Sequence, residues 1–182
     1  GKFVFGLNFM KILDEETKRR TADRLIQSHS EATKTGDWIS FVDQLYARDC
    51  IYSCHYAGVM DVVATGIDQI KETHYGRDMQ VGWEGWEFPY VGVYVGAGND
   101  LVTHWLNRGP GKREDGTFFE SPGISFISLN DSGFISRQLD MFDLAHQMKL
   151  CDELETVGLL SSKLRESWVL PMKSKLIDQL NV

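Results

Sequence analysis

The stretch from His29 to Tyr75 constrains the fold of this chain more than any other part of the sequence. It opens in a predicted helix that Asp14 caps at its start and Gly36 ends. A second helix follows at once, because apolar side chains recur at helical spacing: Trp38, Phe41, Val42 and Leu45. Two amphipathic helices in succession must bury their apolar faces against another layer of structure.

Predicted strands supply that layer. Residues 50–56 alternate as a strand does, and Asp68 is an N-cap candidate for a third helix that runs through His74. Further strands follow after residue 85, separated by turn signals at 96–100, Asp115-Gly116 and 130–133. Neighbouring hairpins of this kind imply an antiparallel sheet. We therefore expect an α+β fold rather than a doubly wound one.

The length of 182 residues predicts a single domain, 1–182. We divide it into an N-terminal arm at 1–13, a core at 14–148 and a helical C-terminal extension at 149–182. The extension carries an apolar face, so it is expected to close a cavity or to pack on another subunit.

Charge and cysteine content narrow the classes of function. The net charge of −7 argues against nucleic acid as a partner, because phosphate binding needs a basic face. No apolar run approaches the roughly 20 residues of a membrane-spanning helix, so no membrane partner is expected. Three cysteines, Cys50, Cys54 and Cys151, are an odd number in a chain large enough to fold without disulfides. We interpret them as reduced thiols, which favours a cytoplasmic protein.

The segments LYARDCIY (45–52) and TGIDQI (65–70), within the order helix, helix, strand, helix, resemble the start of the NTF2-like (SnoaL-like) superfamily. That superfamily includes ketosteroid isomerases, scytalone dehydratase, limonene epoxide hydrolase and polyketide cyclases. The resemblance implies a cone, in which a strongly bent, mostly antiparallel sheet and three helices enclose one deep pocket. It also implies a homodimer or a higher homo-oligomer.

The known catalytic sets of that superfamily do not carry over. The ketosteroid isomerase positions for the catalytic Tyr, the Asp base and the oxyanion-holding Asp fall on His29, Cys54 and Ser125. The scytalone dehydratase Asp is missing, since residues 32–34 read Ala-Thr-Lys. The limonene epoxide hydrolase resemblance would use Arg108 and Asp140 as two members of an Asp-Arg-Asp set, with no third.

Three histidines and a tyrosine form the predicted catalytic set. On the expected strand parity, Val102, His104, Leu106 and Arg108 face the cavity. His29 and His74 would join His104 there, and histidine suits acid–base chemistry near physiological pH. Tyr52 would donate a hydrogen bond to a developing oxyanion. The carboxylates Glu120 and Asp140 would join the site if their strand parity points inward, since a one-residue slip exchanges the two faces.

The predicted substrate contacts are aromatic and polar. Trp86, Tyr90 and Trp105 would hold a ring, with Arg108 and Glu120 as polar contacts. A structural role stays open for each, because strand histidines, buried tyrosines and a Trp-rich segment are often core. Three histidines also raise a metal hypothesis, but no carboxylate-histidine spacing supports it. We expect neither a metal nor another cofactor.

These residues favour a cofactor-independent lyase or isomerase that acts on a small hydrophobic, aromatic substrate. The sharpest hypothesis is a γ-formaldehyde lyase of lignin-dimer catabolism, which converts a diaryl propanediol to a stilbene. Two alternatives stay open. One is an epoxide hydrolase, or a dehydratase or cyclase, of a terpenoid or polyketide. The other is a non-catalytic ligand-binding or scaffold module.

Overall fold

Two helices lead the chain into its sheet, as the sequence predicts. In the computed structural model, which describes residues 11–56 and 59–181, helix α1 spans Glu15–Thr35 and helix α2 spans Trp38–Leu45. The Asp14 side chain accepts a hydrogen bond from the Thr17 N–H, and Gly36 ends α1 with a φ of 75°. The four apolar residues predicted for α2 are all buried. Most of the predicted N-terminal arm lies outside the described residues.

Within the part of the chain that the structure describes, six strands form one sheet in the order β2-β1-β6-β5-β4-β3. Strands β1 and β6 are parallel, and every other neighbouring pair is antiparallel, which confirms the predicted α+β class. The bounds are Tyr46–Tyr56 (β1), Val59–Thr65 (β2), Tyr90–Val95 (β3), Asp100–Lys112 (β4), Phe118–Leu129 (β5) and Ile135–Phe142 (β6). Strand β2 was not predicted, and β1 begins four residues before the expected start at Cys50.

The register of the central strands decides which residues face the helices. Trp105 on β4 pairs with Gly123 on β5, and two residues further along Asn107 pairs with Ser121. Ser121, Gly123, Ser125 and Ile127 are buried, while the residues between them are exposed. Alternate side chains of a strand point to opposite faces, so this odd-numbered row forms the inner face of the sheet.

The third helix differs from its prediction. Helix α3 (Ile67–Ile70) follows Gly66, and Asp68 lies in its first turn, so the expected N-cap at Asp68 is wrong. The helix continues as a π-helical segment, Lys71–Asp78, marked by a hydrogen bond from the Met79 N–H to the His74 carbonyl. A π-helical turn is rare and often found at functional sites.

The C-terminal extension is helical, as expected. Its first helix, α4 (Leu144–Thr156), begins inside the predicted core, before residue 149. It is followed by α5 (Ser162–Leu164), a second π-helical segment (Arg165–Val169) and α6 (Leu170–Leu180). Pro171 does not interrupt it, since it lies in the first turn of α6, where a missing N–H is tolerated. Within the described residues, none of the helices combines the length and the apolar character that crossing a bilayer requires.

Candidate functional site

The inner face of the sheet and the surrounding helices enclose a cavity of about 350 Å³. Its walls come from α1, α2, α6, both π-helical segments, the loop at 79–89 and described residues of all six strands. A volume of this size suits a small organic molecule. Nearly half of the lining residues are aromatic: Trp38, Phe41, Tyr46, Tyr52, Tyr75, Trp83, Phe88, Tyr90, Trp105, Phe142 and Trp168.

Asp140 on β6 is the buried carboxylate of this cavity, 8% exposed. The Tyr52 hydroxyl donates to its Oδ2 at 2.8 Å, and the Ser125 hydroxyl donates to its Oδ1 at 2.6 Å. The Gln138 Nε2 donates to Oδ1 at 2.9 Å. Buried polar groups need such partners, and these three donors fix the orientation of the carboxylate. We refer to Asp140, Tyr52, Ser125 and Gln138 as the Asp140 cluster.

Two more tyrosines extend the cluster. The Tyr46 hydroxyl donates to the Gln138 Oε1 at 2.5 Å and lies 2.8 Å from the Tyr75 hydroxyl. Because the Tyr46 proton is directed to Gln138, Tyr75 donates to Tyr46. Burial raises the pKa of Tyr46 and of Tyr52 well above the usual value. The phenols therefore remain donors at physiological pH.

His74 lies against the Asp140 cluster. Its ring stacks on Tyr52 with centroids 4.4 Å apart, and its edge meets Tyr75 at 4.5 Å. Burial lowers the pKa of His74, an effect that the Asp140 carboxylate partly opposes. The π-helical segment aims the ring here, and its close backbone packing needs a glycine, since a Cβ on Gly76 would collide with the Lys71 carbonyl.

His29 lies on another wall of the cavity, in a fully aromatic setting. Its ring stacks on Tyr90 at 3.9 Å and meets Trp38 and Phe41 edge-on at 5.4 and 5.8 Å. Burial lowers its pKa to about 4, so the ring is neutral at physiological pH.

The C-terminal extension closes the opposite end of the cavity. Trp168 contributes a wall there, with its ring 5.5 Å from Trp83 and 6.3 Å from Phe142. The extension is held on the loop at 79–89, because the Ser161 hydroxyl donates to the Gly82 carbonyl at 3.0 Å. A side chain at Gly82 would collide with the Leu164 backbone, so the two segments touch closely.

The charged groups at the edge of the cavity are more open to solvent than Asp140. The Arg77 and Asp78 side chains, 67% and 37% exposed, pair at 2.9 Å. Surface pairs of this kind contribute little stability. Across residues 11–56 and 59–181, no group of three or more His, Cys, Asp or Glu side chains is placed to hold a metal ion.

Solved structures with the same architecture identify the fold. No protein-family model matches the sequence, and no curated protein matches it either. A SnoaL-like protein from Jannaschia sp. CCS1 matches with a TM-score of 0.53 and 21% identity, over 75% of this chain and 92% of that chain. An NTF2-like protein of unknown function from Burkholderia pseudomallei K96243 matches with a TM-score of 0.53 and 14% identity, over 71% and 96%. The fold is NTF2-like. An LEH-like epoxide hydrolase from Mycobacterium tuberculosis, with a TM-score of 0.50 and 19% identity over 72% and 89%, shares it.

The NTF2-like cavity brings together part of the predicted site. The predicted site residues that line it are His29, Tyr52, His74, Tyr90, Trp105 and Asp140. Their catalytic and binding roles stay predictions. The structure changes one detail of Tyr52, whose proton is directed to Asp140 rather than to the open cavity.

The predicted parity of β4 is wrong. Trp105 and Asn107 line the cavity, so Val102, His104, Leu106 and Arg108 point to the opposite, outer face. The Arg108 Nε donates to the Glu120 Oε1 at 2.5 Å, and its Nη1 pairs with Glu87 at 3.2 Å. Glu120 therefore lies outside the cavity as well.

Trp86 also lies outside the cavity lining. It is 7% exposed and packs behind Trp83, with ring centroids 5.0 Å apart. Its side chain supports the wall that Trp83 forms, which is the core role that a Trp-rich segment often has.

Several cavity residues were not predicted from the sequence. Gln138 and Asn107 are amides on strands, and Tyr46 and Tyr75 read as ordinary core residues. The spacing of Gln138 and Asp140 was one available signal. The two residues are two positions apart on β6, so their side chains point to the same face of the sheet.

Proposed function

We propose that this protein is an enzyme that moves a proton on a small, hydrophobic, aromatic substrate by acid–base chemistry that needs neither a metal nor another cofactor. The observation that carries the proposal is the Asp140 carboxylate, buried in an aromatic cavity with three donors directed at it. Burying a carboxylate costs free energy, so a purely structural pocket would be filled more stably by apolar side chains. A cavity-lining carboxylate held in one orientation suits a general base.

In this proposal the roles follow from the contacts. Asp140 takes a proton from the substrate, while Tyr52, Ser125 and Gln138 hold its oxygens in place. His74 is neutral, because burial lowers its pKa, and a neutral imidazole presents one donor and one acceptor nitrogen. Its N–H stabilises negative charge that develops on the substrate. Returning the proton to another atom completes an isomerisation, a cyclisation or an elimination.

Within this class we propose a formaldehyde-releasing elimination on a lignin-derived diaryl propanediol. Asp140 takes the proton of the terminal hydroxyl, and its oxygen forms the carbonyl of formaldehyde as the C–C bond breaks. The released electron pair forms the C=C bond of the stilbene and expels the neighbouring hydroxyl. Protonated Asp140 gives its proton to that leaving group. The products are a stilbene, formaldehyde and water.

The two rival functions differ in what supports them. The LEH-like epoxide hydrolase shares the fold, but Arg108, the arginine predicted for an Asp-Arg-Asp set, lies on the outer face with Glu120. The arginine that does line the cavity, Arg77, is 67% exposed and pairs with Asp78 at the edge. A non-catalytic binding module would use the aromatic walls and leave the Asp140 cluster without a purpose. Neither rival is supported by a feature of its own.

Cytoplasmic localisation and homo-oligomerisation are two further proposals, and they rest on features outside the cavity. The three cysteines Cys50, Cys54 and Cys151 form no disulfide among the described residues, which suits the cytoplasm. The outer face of the sheet carries exposed apolar side chains, which suits a homo-oligomer.

The test is an ultraviolet assay of the EDTA-treated protein on a panel of diaryl propanediols, following stilbene absorbance and free formaldehyde. Asp140→Asn should lower kcat by at least about a hundredfold, since general bases contribute rate factors of that size. Glu120→Gln, a carboxylate-to-amide change on the outer face, is the matched control and should keep wild-type turnover. Equal turnover of the wild type and Asp140→Asn would remove the carboxylate from the mechanism.

The panel also separates the proposed function from its rivals. Terpenoid epoxides form its second arm, and their opening in place of propanediol cleavage would favour a hydrolase. Tight binding of panel compounds without any turnover would favour the binding module.

A further inference from the structure

The end of the cavity away from Asp140 carries a second polar group, which the proposed chemistry does not use. This group is the side chain of Asn107, which lies on the inner face of β4 and is 8% exposed. Its Nδ2 donates to the Gln147 Oε1 at 3.2 Å, and the Ser121 hydroxyl donates to the same oxygen. Ser121 and Gln147 are 2% and 0% exposed, so the amide of Asn107 is anchored from outside the cavity.

The carbonyl oxygen of that amide, Oδ1, can accept a hydrogen bond from a bound molecule. Because Nδ2 faces Gln147, the Oδ1 of Asn107 is the terminus that remains on the cavity side. Among the described residues, no donor bonds to this oxygen. Asn107 lines the cavity and is 8% exposed, so a ligand that donates to its Oδ1 would form a hydrogen bond in a largely buried setting.

The sheet register sets the distance between the two polar ends. Asp140 pairs with Ser125, and Asn107 pairs with Ser121, on the same strand β5. Four residues of a strand span roughly 13 Å. That span exceeds the width of one benzene ring and suits two rings joined end to end.

The surface between these ends is flat and aromatic. Gly123 lies midway along β5, and a Cβ there would collide with the Trp105 indole, so the indole lies directly over the backbone. The Phe142 ring is 6.4 Å from Trp105, and the Trp168 ring follows at 6.3 Å from Phe142. Aromatic side chains at such spacings favour stacked or edge-on contacts with rings.

We propose that the cavity selects an elongated substrate of two aromatic rings with a hydrogen-bond donor, such as a phenolic hydroxyl, on the ring farther from Asp140. Asn107 is the specificity-determining residue, since its Oδ1 accepts that donor. Gln147 is a positioning residue, since it acts only through Asn107. The inference rests on the proposed function in one respect, namely that this cavity is the substrate site.

Three biphenyls that differ at one end test the proposal: 4,4′-dihydroxybiphenyl, 4-hydroxy-4′-methoxybiphenyl and 4-hydroxybiphenyl. Dissociation constants come from calorimetry or from quenching of tryptophan fluorescence. The wild type should bind the dihydroxy compound about tenfold more tightly than the other two, because one hydrogen bond to a buried acceptor has about that effect. Asn107→Leu should bind all three within about twofold of one another and keep the wild-type affinity for 4-hydroxybiphenyl.

Two further variants guard against misfolding and test the positioning role. Thermal unfolding shows whether Asn107→Leu folds, and if it does not, Asn107→Ser removes the same carbonyl and should lose the same preference. Gln147→Met keeps Asn107 but removes its anchor, so the preference should fall to an intermediate ratio. A purely structural Gln147 would instead weaken binding of all three probes equally.

Four results would overturn the inference: equal wild-type affinities, a preference for the methoxy compound, a preference that survives in the Asn107 variants, or no binding of any biphenyl. The Asp140→Asn turnover test is independent of these ratios. Asp140-dependent turnover without tighter binding of the dihydroxy compound overturns only the inference. Tighter binding of the dihydroxy compound without any turnover overturns only the proposed enzyme function.

Discussion

The two faces of strand β4 lie in different surroundings, although their residues alternate along one chain. On the inner face, Trp105 and Asn107 line a cavity and each bonds to a buried partner. On the outer face, Arg108 bonds to carboxylates, and its guanidinium lies 4.1 Å from the Phe118 ring. Residue type alone therefore does not predict the surroundings of a polar side chain on this strand, because the face of the sheet decides which groups it can contact.

Histidine shows the difference most clearly. His74 comes from a π-helical segment, lies in the cavity and stacks on a tyrosine that bonds to Asp140. His104 pairs in register with Ile124, a residue 40% exposed on the outer face. Substitutions at inner and outer positions test this contrast.

The largest expected effect concerns His29, whose pKa burial lowers from 6.5 to about 4. As the pH falls, the unfolded chain binds this proton before the folded chain does. The stability that the neutral ring contributes is therefore complete above about pH 6.5 and is lost as the pH falls toward 4, by about 3 kcal/mol. Urea unfolding between pH 7 and 4 should show a smaller loss in His29→Phe than in the wild type.

The control for that experiment is Phe41→Leu, which disturbs a ring 5.8 Å from His29 and adds no titrating group. It should lower the free energy of unfolding at every pH and keep the wild-type slope. Identical slopes in His29→Phe and the wild type would contradict the prediction.

The next largest effect concerns the contact between Gly123 and Trp105 on the inner face of the sheet. Gly123→Ala places a methyl group against the Trp105 indole and should lower the free energy of unfolding by about 2 kcal/mol, because the well-packed ring must move. Gly92→Ala is the matched control, since its new methyl meets only the hydroxyl end of Tyr94, a side chain 59% exposed that can swing away. Denaturant unfolding measures both, and equal losses would show that Trp105 does not constrain this strand.

The third prediction compares the two histidines directly. His74→Phe keeps the stack on Tyr52 but removes both nitrogens, so it should lower kcat about tenfold on a substrate that turns over. His104→Phe makes the same change on the outer face and should leave kcat unchanged. A loss of turnover with His104→Phe and not with His74→Phe would reverse the assignment of the two faces.

The smallest effect on the stability of a single chain is expected for substitutions on the outer face of the sheet. Phe126 and Ile124, 46% and 40% exposed, form its apolar centre. If two copies associate there, Phe126→Glu should shift the protein toward monomer in sedimentation experiments and leave stability nearly unchanged. Ser128→Glu, near the end of the same strand, is the control. An unchanged mass for Phe126→Glu would place any oligomer contact elsewhere.

The sequence determined the local elements of this protein because their signals are local. Asp14 and Gly36 bound α1, and the spacing of Trp38, Phe41, Val42 and Leu45 defines the buried face of α2. The turn at Asp115-Gly116 is present, with the Thr117 N–H donating to the Asp115 carboxylate. Each of these signals lies within a few residues of the structure that it predicts.

The tertiary structure alone decided which residues share the cavity. The parity of β4 depends on pairing with β5 across the sheet, and a shift of one residue exchanges His104 for Trp105. Asp140 meets Tyr52 because β6 lies parallel to β1, although the two residues are 88 positions apart. His74 reaches the cavity through a π-helical turn that no sequence signal predicted. Contacts between distant segments depend on the packing of the whole sheet, so no local pattern in the sequence predicts them.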